Sequence, residues 1–133
     1  MDLIGSLVHS AQRTPEQVVL VHGERRVRLG ELMLRVSALA DVLRQSGLRA
    51  GDRVALVAGN SIEWVEVYLA AMAAGGVPVP LNPELRVTDI KSLIAHAGAR
   101  YVFVDLKSRV GDQLMAQADD LVWIVNGATE HAA

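Results

Sequence analysis

Four short apolar runs rich in β-branched residues, RVALVA (53–58), VPVPL (77–81), RYVFVD (100–105) and DLVWIV (120–125), are separated by segments whose apolar residues recur at helical spacing. This alternation limits the fold more than any other feature of the chain. Strand, helix and strand in regular succession bury their apolar faces together as a parallel sheet with right-handed helical crossovers. RVALVA is continuously apolar after its arginine, as strands covered on both faces are. The expected fold class is α/β: a parallel doubly wound sheet with flanking helices.

An N-terminal helix and a β-hairpin precede this unit. Leu3, Leu7, Val8 and Ala11 share one helical face within residues 2–13, and Thr14-Pro15 closes that helix. QVVLVHGERRVRLG (17–30) gives two β-rich runs around His22-Gly23-Glu24-Arg25, with Gly23 placed to supply a positive φ. Leu32, Val36, Leu39 and Leu43 predict a long helix over roughly 30–46, ended by Gly47 in a left-handed cap with Leu48 as its apolar contact. Asn60 and Glu63 read as a capping box for the next helix. Its stripe is Ile62, Val65, Leu69 and Met72, broadened by Trp64, Tyr68 and Ala71, so that it should be covered on most sides. Thr88 is placed to cap a third helix carrying Ile90, Leu93, Ile94 and Ala97 and ended by Gly98. A fourth, over 107–117, turns Val110, Leu114 and Met115 inward, and the closing NGATEHAA shows no pattern that demands structure.

The segment MAAGGVPVPLNPEL (72–85) joins two of these elements with two glycines and three prolines. Gly75-Gly76 ends a helix, and Pro78 and Pro80 remove two backbone donors from the strand that follows. An edge position or an irregular strand end is expected.

At 133 residues the chain is the size of one domain, spanning 1–133. Thirteen basic and 15 acidic residues give a net charge of −2, which argues against a nucleic-acid or anionic-membrane partner. Arg25, Arg26 and Arg28 form a small basic cluster, read as a solvated strand edge that discourages stray pairing. The absence of cysteine excludes disulfides, thiolate metal sites and cysteine nucleophiles, and fits a cytoplasmic location. With no apolar run of 18 residues and no basic leader, a soluble, unexported chain is expected. A hydrophobic content of 51% suggests that some apolar surface expects a partner, self-association included.

Few residues suggest chemistry. VALVAGNSIEW (54–64) runs a strand into a helix N-terminus, where open α/β sheets hold anions. It has only Gly59 where a dinucleotide fingerprint needs three glycines, so Asn60 and Ser61 read as caps. Neither a G-x-x-x-x-G-K-[ST] loop nor a G-x-S-x-G elbow is present, and Ser6, Ser10, Ser37, Ser46, Ser61, Ser92 and Ser108 lack a paired histidine signature. His9, His22, His96 and His131 are isolated in sequence. Asp119-Asp120 reads as a solvated turn, and Asp52 and Asp105 as strand-end residues. No catalytic, cofactor-binding or metal-ligating residue is assigned.

Taken in order, VRLGEL (27–32), LRAGDRVALVAGNSIEWVEVYLAAMAAGGVPVPLNPEL (48–85) and LIAHAGARYVFVD (93–105) resemble the N-terminal region of the adenylate-forming superfamily. That superfamily comprises acyl-CoA synthetases, nonribosomal peptide synthetase adenylation domains and luciferases. Val27–Leu32 resembles the family's first core motif, L-T-Y-x-E-L, with Arg28-Leu29 in place of Thr-Tyr. Met72–Leu81 resembles the second, L-K-A-G-x-A-Y-V-P-[IL], with Ala74-Gly75 as its Ala-Gly. The resemblance covers about residues 3–125 and is more like a CoA ligase for fatty or aromatic acids than an amino-acid-activating module.

The resemblance implies an N-terminal piece of an acyl-CoA synthetase, with the rest of that enzyme as its partner. The parent would use Mg-ATP to form an acyl-adenylate and pyrophosphate, then pass the acyl group to CoA, and would belong to fatty acid metabolism. The family's phosphate loop ending in Pro-Lys-Gly and its C-terminal catalytic lysine have no counterpart in these residues, so none is carried over. ATP, Mg and CoA are implied for the full-length family, no cofactor for this chain, and the chain alone is expected to be inert. The alternatives are a free-standing degenerate relative acting as a protein-interaction module and, third, a nucleotide-binding module.

Overall fold

The computed structural model describes residues 2–118 and 120–126. Asp119 and residues 127–133, which include His131 and all of the closing stretch but Asn126, lie outside the described residues. The elements run α1 (Leu3–Arg13), β1 (Val18–His22), β2 (Arg25–Arg28), α2 (Leu29–Gln45), β3 (Arg53–Val57), α3 (Ile62–Ala73), β4 (Val77–Pro80), α4 (Val87–Ala97), β5 (Tyr101–Asp105), α5 (Arg109–Gln117) and β6 (Val122–Asn126). β1 and β2 form an antiparallel hairpin turning at Gly23, whose φ is 61°. The other strands form one parallel sheet in the order β4-β3-β5-β6. The chain therefore winds outward from β3 to β4, returns across β3 to β5, and continues to β6.

Alternation along the strands divides the core between the two sheet faces. Val54, Leu56, Tyr101 and Phe103 join α2 and α3, with Ile4, Leu7 and Ala11 of α1 packed against that cluster. Ala55, Val57, Val102 and Val104 face the other way, onto Ile90 and Ile94 of α4 and Leu114 of α5. Helices on both faces explain why the β3 and β5 side chains from Val54 to Val57 and from Tyr101 to Val104 are buried without exception. This is the doubly wound sheet expected.

Several local expectations shift. α3 is capped by Ser61, whose Oγ accepts from the Trp64 N–H at 3.0 Å, and not by Asn60. Ser61 has the extended backbone of an N-cap, φ −159° and ψ 170°. Thr88 lies inside the first turn of α4, whose N-cap is Arg86, and α5 begins at Arg109 behind a Ser108 cap. Leu3, Val8 and Leu93, placed inward by spacing, are exposed; Ile4 takes an inward position on α1, while Ile90 and Ile94 are buried on α4 as expected. On α3 no residue is exposed, and the tightest contacts fall on Ile62, Val67, Leu69, Ala70 and Ala71, with Val65 and Met72 half-buried. A helix enclosed between α2 and the sheet has no single apolar stripe.

The Gly-Gly-Val-Pro-Val-Pro joint has a definite construction. Gly75 adopts φ 92°, and the Gly75 and Gly76 N–H groups donate back to Met72 and Ala71 carbonyls at 3.0 and 2.8 Å, closing α3. The Val77 N–H then donates to the Asp52 carbonyl and the Leu81 N–H to the Leu56 carbonyl. Donors alternate along a strand, so residues 77, 79 and 81 face β3 while 78 and 80 face the open edge. Both outward positions are proline, as an edge strand permits.

Candidate functional site

Strand order reverses between β3 and β5, and open α/β sheets bind ligands outside the carboxyl ends of the strands at such a point. Three loops meet that edge. β3 leads through Ala58, Gly59 and Asn60 to the Ser61 cap of α3. β4 leads through Leu81 into a turn in which Asn82 Oδ1 accepts from the Glu84 N–H at 2.9 Å, an Asx turn. Between these two loops lies an open cleft of about 400 Å³, walled by Trp64, Pro80 and Leu81 and edged by Asn60, Asn82 and Glu84. Trp64 stacks on Tyr68 with ring centroids 5.2 Å apart, which fixes the indole at the cleft wall.

The third loop is closed tightly on itself. Asp105 Oδ1 accepts from the Lys107 N–H at 2.9 Å, and the Asp105 carbonyl accepts from the Ser108 N–H and hydroxyl at 3.0 and 2.9 Å. Ser108 Oγ in turn accepts from the Gly111 N–H at 2.9 Å. A Cβ on Gly111 would stand 2.6 Å from the Asp105 carbonyl oxygen, so the approach of α5 to β5 depends on that glycine. Asp105 is thus a turn-forming residue. A second cleft, about 390 Å³, lies between the N-terminal ends of α4 and α5 with Arg86 and Arg109 at its rim. Arg86 is held by Asp89 at 3.1 Å. A third, of about 540 Å³, opens at the opposite sheet edge over Ile94, Leu114 and Leu121.

The other residues singled out from sequence do not converge. Asp52 Oδ2 accepts from the Arg49 N–H at 2.8 Å at the amino end of β3, the far edge from Asp105. His9, His22 and His96 are each exposed on separate elements. Among the described residues no three histidine, aspartate or glutamate side chains are grouped so as to hold a metal ion. The β3–α3 junction offers one glycine and no lysine to a triphosphate, so no ATP or Mg contact is assigned to these residues. Arg25 of the basic cluster reaches Glu63 at 2.8 Å and Arg28 reaches Glu16 at 3.7 Å, which ties the hairpin to its neighbours. No helix among the described residues is long and apolar enough to cross a membrane.

One carboxylate escaped the sequence reading. Glu66, on the enclosed helix α3, retains 12% side-chain exposure and lies 3.5 Å from Arg35 of α2. Burial raises its pKa above the usual glutamate value and the Glu63 charge adds to the rise, against the lowering pull of Arg35 and Arg25. The signal was present in IEWVEVYLAAMA: a carboxylate on a helix covered all round must be partnered or shifted. Its place between α2 and α3 makes it a packing residue away from the carboxyl-edge clefts.

Residues 7–131 match the family model described as AMP-binding enzyme. The chain belongs to this family. Among curated AMP-binding relatives, it is similar to feruloyl-CoA synthase of an Amycolatopsis species, 38% identical over 92 residues, covering 69% of this chain and 19% of the relative. It is also similar to 3-hydroxybenzoate–CoA ligase of Aromatoleum sp. (strain CIB), 36% identical over 95 residues, covering 71% of this chain and 18% of the relative. The fold matches the inhibitor-bound N-terminal domain of FACL13 from Mycobacterium tuberculosis with a TM-score of 0.83 and 27% identity, covering 98% of this chain and 35% of that one. The chain spans between 1% and 19% of the length of the first curated relatives it matches. The part shared with the AMP-binding enzymes is thus the sheet, its flanking helices and the carboxyl-edge loops.

Proposed function

We propose that this chain is the N-terminal portion of an ATP-dependent acid–CoA ligase. The whole enzyme would join a carboxylic acid to AMP with release of pyrophosphate, then transfer the acyl group to the CoA thiol with release of AMP. The observation that carries this reading is the family membership, together with the likeness to relatives named as CoA ligases for aromatic acids. An aromatic or fatty acid is the substrate class, and the cytoplasm the location. Within the ligase, these residues supply a rigid sheet edge: the β3–α3, β4–α4 and β5–α5 loops are fixed by their own side-chain bonds and hold one wall of a crevice whose reacting groups come from elsewhere in the enzyme.

By itself the 133-residue chain is inert in this reading, because no described side chains are assigned to the reacting atoms. The test compares the protein isolated from its source with the 133-residue chain in acid-dependent ATP–pyrophosphate exchange, using ferulate, hydroxybenzoates and fatty acids. Exchange by the native protein and none by the short chain is expected. A native protein that exchanges with none of these acids overturns the ligase reading, and exchange by the short chain overturns its inertness.

A further inference from the structure

We draw no further inference here: the strongest candidate, the cleft between the N-terminal ends of α4 and α5 with Arg86 and Arg109 at its rim, rests on two helix N-termini and two exposed arginines alone, one of them already held by Asp89, and none of its polar side chains is buried so as to point to a ligand.

Discussion

Replacing Gly76 by alanine tests the construction of the α3–β4 joint. A Cβ there would stand 2.9 Å from the Asp52 carbonyl oxygen and 3.2 Å from the Ala71 carbonyl oxygen, with Leu48 Cδ2 at 3.4 Å. Those carbonyls accept from the Val77 and Gly76 N–H groups at 2.8 Å each, so a methyl group presses on the bonds that start β4 and finish α3. Neither oxygen can rotate away as a side chain could. Overpacking of this kind costs about 1–3 kcal/mol. The restricted unfolded chain of an alanine variant returns about 0.4–1 kcal/mol. A net loss of about 1–2 kcal/mol corresponds to a fall in Tm of roughly 3–8 °C for a domain of this size. Gly59→Ala is the control: nothing lies within 4 Å of its added Cβ. That variant, free of any clash, should melt at the parent's temperature or up to about 5 °C above it. Thermal unfolding followed by circular dichroism reads both, and a Gly76→Ala protein as stable as its parent would refute the argument.

Other substitutions probe the caps, the core and the buried carboxylate. Ser61→Ala should cost about 1 kcal/mol through loss of the α3 cap, whereas Asn60→Ala should change stability by less than about 0.5 kcal/mol; urea unfolding separates the two. Leu114, with no exposed surface, should lose about 2–5 kcal/mol on change to alanine, and Leu34, 75% exposed, about 0.5 kcal/mol or less by the same measurement. Because the folded pKa of Glu66 is raised, the folded state holds its proton more tightly than the unfolded state. Its contribution to stability is therefore fully present below the ordinary glutamate value and falls as pH rises through the raised one. Glu66→Gln should gain on the parent between acidic and neutral pH, and a widening loss over that range would contradict the burial argument. Arg25→Ala, which breaks a largely exposed pair with Glu63, should cost about 0–1 kcal/mol and leave cooperative unfolding intact.

The sheet was legible because its strands announce themselves over short range: VALV and YVFV are continuously apolar, and Pro78 and Pro80 mark β4 as an edge without reference to the rest of the chain. Helix starts were less legible. Asn60 and Ser61 are both good caps by residue type, and only the backbone shows that Ser61 takes the extended conformation before the first turn. The inward face of α4 was misjudged at Leu93 because periodicity locates an apolar face without saying which residue at its margin is covered. The cleft beside Trp64 could not be read as a unit, since its walls come from loops about twenty residues apart that only the β3–β4 pairing brings together. The topological rule for open sheets pointed to that edge, and the family motifs pointed to the same segment. Glu66 was visible in the sequence as a carboxylate in an enclosed helix, and the α2 arginine that partners it lies thirty-one residues earlier.

The claim that these residues are one part of a larger ligase is tested most directly by the intact mass of the native protein, captured from its source cells with an antibody against the 133-residue chain. A mass several times the chain's 14.3 kDa is the predicted result. A native species of 14.3 kDa would contradict it and make binding, in place of ligation, the activity to explain.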